Sequence, residues 1–168
     1  MPSESARAAS AAEARFRIDA PNSRPRAIKV IALDPPSEKI VKRLAQSPWT
    51  SATFLTTLAS APARSERFSM SGWLGDLAGH TKNLIDEIND ADQVVMVATA
   101  GENLEAASII GEACSLKRVM TTALILGPAS TSDAALSQSL AQLRPWALML
   151  VIASAEEYIA DMLVALRA

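Results

Sequence analysis

The chain has 168 residues, of which 49% are hydrophobic and 20% are charged, a composition that excludes a disordered protein and suits one domain with a single sizeable core. Sixteen Lys and Arg residues against 18 Asp and Glu residues give a formal net charge of -2, so the basic excess that favours nucleic-acid binding is missing. One cysteine and one histidine exclude an intramolecular disulfide framework and a zinc site built on a histidine pair.

The start of the chain differs in composition from the rest. Residues 1–26 are rich in Ala, Ser, Arg and Pro and lack the continuous apolar stretch of a secretory signal. We predict a flexible N-terminal arm here, followed by a single domain over residues 27–168. No apolar run approaches the roughly 20 residues that a membrane span needs. We therefore expect a cytoplasmic protein that does not contact a membrane.

From residue 27 onward, β-rich apolar runs alternate with segments of helical periodicity. The runs that predict buried strands are 27–33, 51–58, 93–99, 119–126 and 146–153. The segments whose apolar spacing predicts helices are 37–46, 73–89, 101–116, 133–143 and a final helix from 154 or 155 to 166. Residues 59–72 show neither period and are predicted to form a long loop that could fold over the carboxyl edge of the sheet.

This alternation predicts the fold class. Strands and helices in turn are typical of a mostly parallel sheet, here of about five strands, with helices on both faces in a three-layer α/β/α sandwich. The crossovers should be right-handed. The sequence leaves two strand orders open, the flavodoxin-like order 2-1-3-4-5 and the Rossmann-like order 3-2-1-4-5.

In such a sheet, ligands bind outside the carboxyl ends of the strands, at the point where the strand order reverses. Four segments should meet there, namely 34–37, 99–103, 127–133 and 153–157. They contain the residues that we predict to contact a ligand: Asp34, Ser37, Thr99, Gly101, Asn103, Ser130 and Ser154. The sequence identifies no cofactor for this site.

A standard dinucleotide or nucleoside triphosphate is disfavoured as that ligand. Pro35 and Pro36 remove two backbone amides from the first segment, and no glycine-rich phosphate-binding motif follows any strand. Acidic residues at the predicted helix starts suit the helix dipole and would repel a phosphate. These residues are Glu102, Glu105, Glu156 and Glu157.

Catalytic chemistry has little support in the sequence. Three carboxylates, Asp34, Glu102 and Asp133, are candidates for a metal or a cationic ligand, with helix capping as the alternative. Cys114 lies among apolar neighbours and is predicted to be a buried, inert thiol. His80 is the one possible base for a serine nucleophile, and nothing places it near the carboxyl edge. We predict no catalytic residues.

Two stretches resemble a known family. Ile28-Lys29-Val30-Ile31, with the helix that follows, is similar to the opening segment of the nucleotide-binding half of tubulin and FtsZ-type GTPases. Residues 91–101 resemble the strand that leads into the glycine-rich phosphate loop of that family. The resemblance implies a Rossmann-like fold. The glycines of the family are replaced by Asp34-Pro35-Pro36 and by residues 100–105, which implies a relative without GTP-binding chemistry.

Three functional hypotheses follow. The first is a non-catalytic small-molecule-binding or regulatory domain with its ligand at the carboxyl edge. The second is a homo-oligomeric assembly protein, because the charged fraction lies below the usual ~25%. Its interface would be the small-residue helix from Gly101, the final helix or the N-terminal arm. The third is a metal-dependent enzyme acting at the same edge.

Overall fold

The structure is a computed structural model, and it describes residues 26–57 and 74–168. The predicted arm up to residue 25 and the predicted loop 59–72 lie outside the described residues. The described strands are β1 (Ile28–Ala32), β2 (Ala52–Thr57), β3 (Leu74–Asp76), β4 (Thr81–Lys82), β5 (Gln93–Thr99), β6 (Met120–Leu126) and β7 (Met149–Ala153). The described helices are α1 (Pro35–Leu44), α2 (Leu84–Asn89), α3 (Ala106–Lys117), α4 (Asp133–Leu143), a 3₁₀ turn (Arg144–Trp146) and α5 (Glu156–Ala165).

The strands form one sheet in the order β4-β3-β2-β1-β5-β6-β7. Strands β2, β1, β5, β6 and β7 are parallel, and β3 and β4 extend the sheet beyond β2 as antiparallel strands. Counted along the chain, the five parallel strands follow the order 2-1-3-4-5. The flavodoxin-like order is therefore the correct one of the two that the sequence left open.

Helices cover both faces of the sheet, as the sequence predicts. Along β5, alternate residues enter two different cores because successive side chains of a strand point to opposite faces. Val95 and Val97 pack with α1 and α5, whereas Val94 and Met96 pack with α2, α3 and α4. The three-layer α/β/α sandwich is thus confirmed, with β5 buried at its centre.

The predicted helix over residues 73–89 is wrong. From Leu74 the chain forms a hairpin of β3 and β4, and only Leu84–Asn89 are helical. Local turn chemistry overrides the helical spacing here. Gly79 has φ +87°, and the Asp76 carboxylate accepts hydrogen bonds from the backbone N–H groups of Ala78 and His80, each at 2.9 Å.

Two further boundaries differ from the prediction for similar reasons. Helix α3 begins at Ala106 rather than Gly101, because Gly101 has φ +90° and residues 100–105 form a loop. Strand β7 begins at Met149 rather than Trp146, because Arg144–Trp146 form a 3₁₀ turn that contains Pro145.

Candidate functional site

The strand order reverses between β1 and β5, which places the candidate crevice at their carboxyl ends. Helix α1 follows β1 and packs on one face of the sheet. The loop 100–105 follows β5 and leads to α3 on the opposite face. The first two predicted segments, 34–37 and 99–103, therefore lie next to each other at this point.

Asp34 joins these two segments. Its Oδ1 accepts a hydrogen bond from the Ser37 N–H at 2.8 Å, which caps α1, and its Oδ2 accepts one from the Thr99 N–H at 2.8 Å. The Asp34 side chain is buried, as is Ser37, whose Oγ completes the capping box by accepting a hydrogen bond from the Asp34 N–H at 3.2 Å. Asp34 and Ser37 were predicted to contact a ligand. In the structure their hydrogen bonds join the end of β1 to α1 and to β5.

Thr99 is half-buried, and its hydroxyl is the most informative group at the crevice. Among the described residues, Thr99 Oγ1 is a buried oxygen without a hydrogen-bond partner, as are Gln93 Oε1 and Gln142 Oε1, and of these three it is the one at the carboxyl end of β5. Leaving a buried polar atom unpaired costs about 1–3 kcal/mol, so nearly all such atoms in native proteins are paired with protein, water or ligand. The Thr99 hydroxyl can therefore donate one hydrogen bond and accept another at the point where the strand order reverses.

The glycine after Thr99 shapes the loop. Gly101 is exposed, and its N–H donates to Ser139 Oγ on α4 at 2.9 Å. Sequence reasoning missed Ser139, which is nearly completely buried. The sequence does indicate its burial, because Ser139 lies three residues after Leu136 and four before Leu143, on the apolar side of α4. A buried serine on such a face needs a partner, and the loop supplies it.

The other predicted contacts lie at the surface. Asn103 Oδ1 accepts from the Glu105 N–H at 3.0 Å, so this side chain stabilises the turn before α3. Ser130 is exposed in the loop between β6 and α4, and Ser154 is exposed between β7 and α5. The structure gathers Asp34, Ser37 and Thr99 into one network and leaves these three side chains outside it.

The predicted metal alternative does not fit the described part of the chain. Residues 26–57 and 74–168 contain no group of three or more His, Cys, Asp or Glu side chains that could hold a metal ion. Asp34 is used as the cap of α1, whereas Glu102 and Asp133 are exposed. Glu102 and Glu105 also precede α3 instead of occupying its first turn, while Glu156 and Glu157 do begin α5 as predicted.

The candidate nucleophile Cys114 and the candidate base His80 lie in different parts of the fold. Cys114 is completely buried in α3, and burial raises the pKa of its thiol to about 12, so the thiol stays protonated near neutral pH. His80 is exposed in the turn between β3 and β4, where its Nδ1 lies 3.1 Å from Asp76 Oδ2. Because β3 runs antiparallel to β2, this turn points away from the carboxyl edge.

Ion pairs hold the helices against the sheet rather than forming a site. Lys29 Nζ on β1 lies 2.8 Å from Glu87 Oε2 on α2, and both side chains are largely buried. Arg43 on α1 contacts Glu156 at the start of α5, with Nε 2.9 Å from Oε1. The Arg43 guanidinium, through its hydrogen bond and charge, lowers the pKa of the Glu156 carboxyl.

Three surface clefts lie away from the crevice. The first, of about 570 Å³, is bounded by residues 47–50 and the last turn of α5. The second, of about 350 Å³, lies where α3 ends and β6 begins. The third, of about 480 Å³, runs between β7 and α5 and includes Ile152, Tyr158 and Asp161. None of the helices in the described segments is both long and apolar enough to cross a membrane.

Comparison with known proteins gives neither a matching family model nor a matching curated protein. The resemblance of residues 28–31 and 91–101 to tubulin and FtsZ-type GTPases therefore stays a prediction from the sequence.

Proposed function

We propose that this domain binds a small molecule at the carboxyl ends of β1 and β5 and does not catalyse a reaction there. The observation that supports the proposal is the buried Thr99 hydroxyl, which has no partner among the described residues although it lies at the reversal of the strand order. A ligand that bonds this hydroxyl would satisfy it. The exposed loop residues Gly101, Asn103 and Ser130 would then border the ligand.

The charges at this edge indicate the class of ligand. The described loops that follow the parallel strands, 33–34, 100–105, 127–132 and 154–155, contain no Lys or Arg. They do contain Glu102, and Asp133 begins the adjacent helix α4. Within these described loops, a phosphate would meet negative charge without a compensating cation. We therefore propose a polar ligand that is neutral or positively charged.

The test is native mass spectrometry of the full chain as purified, in the wild type and in Thr99→Val. Valine keeps the shape of threonine and removes the unpaired hydroxyl. We expect the wild type to retain a small-molecule mass and Thr99→Val to lose it. The variant should nevertheless be as stable as the wild type without ligand or slightly more stable, because no protein hydrogen bond is lost.

A pair of glycine variants controls for backbone strain. Gly101→Leu and Gly79→Leu both force a side chain onto a positive φ, but only Gly101 borders the crevice. Gly101→Leu should lose the bound mass, and Gly79→Leu should retain it. Equal retention in Thr99→Val, Gly101→Leu and the wild type would refute this site. A wild type that carries no ligand and gains no thermal stability from neutral or cationic metabolites would refute the function.

A second role is favoured by a separate observation. Strand β7 lies at the edge of the described sheet and exposes large apolar side chains, among them Met149 and Ile152. Exposed large apolar side chains along a sheet edge are typical of protein–protein contact. We therefore also propose that the chain forms a homo-oligomer. A cytoplasmic location and the lack of nucleic-acid partners stay predictions from the sequence.

A further inference from the structure

The outer edge of the sheet at β7 is apolar along its whole length. Leu148, which precedes the strand, is 80% exposed, Met149 is 37% exposed and Ile152 is 49% exposed. Tyr158, at the start of the adjacent helix α5, is 56% exposed. Ile152 and Tyr158 border the cleft between β7 and α5. Leu148 borders the cleft where α3 ends and β6 begins. The surface made by Leu148, Met149, Ile152 and Tyr158 is called the β7 surface below.

The backbone of β7 adds hydrogen-bonding capacity to this surface. In the described sheet β7 pairs with β6 on one side and with no strand on the other. Natural edge strands are usually protected by charged residues, proline or bulges. Met149–Ala153 contains neither a charged residue nor proline. The edge is therefore suited to pairing with another strand.

The charges beside β7 have opposite signs at its two ends. Helix α4, on one face, begins with Asp133 and is followed directly by Arg144. Helix α5, on the other face, has Glu157 in its first turn, and Arg167 lies just after its last turn. On both faces the helix starts are acidic and the residues that follow the helices are basic, and α5 also carries the exposed Asp161 at its middle, beside the cleft next to β7.

We propose that β7 pairs in antiparallel orientation with β7 of a second copy of this chain, around a twofold axis near Val151. This axis is perpendicular to the sheet, so α4 of one copy lies on the same face as α4 of the other, with opposite direction. The acidic start of each helix then faces the basic end of its counterpart. Parallel pairing would bring like charges together, so the charge pattern favours the antiparallel dimer.

The apolar surface is consistent with this arrangement. Pairing centred on Val151 places Met149 opposite Ala153 of the second copy on one face of the sheet, and Ile152 opposite Leu150 of the second copy on the other face, so both exposed side chains lose contact with water. The two clefts between β7 and α5 then join on one face of a continuous sheet. Homodimer interfaces are more apolar than the remaining protein surface, as this edge is. The inference rests on the proposed self-association and specifies its geometry.

Sedimentation equilibrium of the full chain tests the surface. Ile152→Lys places a charge on the β7 surface at a half-exposed position, where the monomer should accommodate it. The matched control is Val164→Lys, which changes another exposed β-branched residue, on α5 next to a different cleft. We expect Ile152→Lys to weaken the dimer at least about tenfold, whereas Val164→Lys should change the dissociation constant less than about twofold.

The outcomes separate the geometry from self-association itself. A wild type that is still monomeric at about 100 µM would refute both self-association and its geometry. At that concentration only very weak complexes remain dissociated. A wild-type dimer that Ile152→Lys does not weaken would leave self-association standing and refute pairing through β7. A mixed complex with an unrelated protein in place of a dimer would also refute it.

Cross-linking tests the orientation independently of stability. In Val151→Cys, antiparallel pairing centred on this residue brings the two thiols within disulfide distance, because directly paired Cα atoms lie roughly 4.5–5.5 Å apart. We expect mild oxidation to link Val151→Cys into a dimer and to leave Val164→Cys unlinked. Buried Cys114 should not react in either variant. Equal linking of both variants, or of Val164→Cys alone, would overturn the antiparallel arrangement.

Discussion

Each carboxylate oxygen of Asp34 accepts a backbone hydrogen bond from a different element, one from Ser37 in α1 and one from Thr99 at the end of β5. The same residue thus caps a helix and fixes the spacing of two strands at the candidate site. Its role at the crevice is to hold Thr99 in place. The ligand contact predicted for Asp34 stays a prediction, while its observed hydrogen bonds are structural.

Replacing Asp34 should be costly for folding. Asp34→Ala removes a helix cap, worth about 0.5–2 kcal/mol, and leaves the Thr99 N–H without its charged acceptor, worth about 1–3 kcal/mol more. We expect the free energy of unfolding, measured by urea denaturation, to fall by about 2–4 kcal/mol. The matched control is Ser132→Ala, which removes a single exposed cap bond of 3.2 Å at α4. Similar losses in the two variants would show that the bond to Thr99 contributes little.

At the scale of elements, helix α3 shows why small residues occur where they do. Gly111 faces the 3₁₀ turn, and a Cβ added there would lie 2.4 Å from the Cβ of Trp146. The sequence predicts close packing of this helix from its small residues but does not identify the neighbour. The structure identifies it as the turn that leads into β7, so α3 helps to position the edge strand.

Gly111→Ala should therefore destabilise the fold although alanine is the better helix former. The gain in helix propensity of about 1 kcal/mol is opposed by the displacement of Trp146, and overpacking of this kind typically costs about 1–3 kcal/mol. We expect a net decrease in the midpoint of thermal unfolding. Ser115→Ala, an exposed change on the same helix, should leave the midpoint nearly unchanged. An increase in the midpoint for Gly111→Ala would show that the helix and the turn separate easily.

At the scale of the whole molecule, the sheet has two different ends. The β3–β4 hairpin extends it beyond β2, whereas the apolar strand β7 is its last strand on the other side within residues 26–57 and 74–168. The crevice between β1 and β5 lies near the middle of the sheet. A dimer formed through β7 would leave that crevice open in each copy, so small-molecule binding and self-association are compatible.

Dimer formation predicts that thermal stability depends on protein concentration. Only the folded chain can pair, so mass action stabilises it. For a domain of this length, a tenfold increase in concentration should raise the wild-type melting temperature by about 1–3 °C. Ile152→Lys should show a smaller rise over the same series, because its dimer is weaker. Scanning fluorimetry over a concentration series measures both, and a wild-type midpoint that does not change with concentration would contradict the dimer.

Much of the architecture was accessible from the sequence because it depends on local pattern. All five predicted strands are present, and α4 occupies the predicted residues 133–143, since long apolar runs and regular helical spacing strongly constrain local structure. The error at 73–89 arose because Leu74, Leu84 and Ile88 are all buried, which satisfies a helical pattern. In the structure Leu74 is buried in a strand that pairs with β2, whereas Leu84 and Ile88 are buried on the short helix α2.

The sequence by itself determined the fold class, the edge of the sheet at which a site would lie, and the burial of Cys114, because these follow from periodicity and composition. Only the tertiary structure decided the strand order, the structural use of Asp34 and Ser37, the unpaired state of the Thr99 hydroxyl among the described residues, and the exposure of β7. Each of these depends on which distant segments become neighbours. That is set by the packing of the whole chain, which no local pattern encodes.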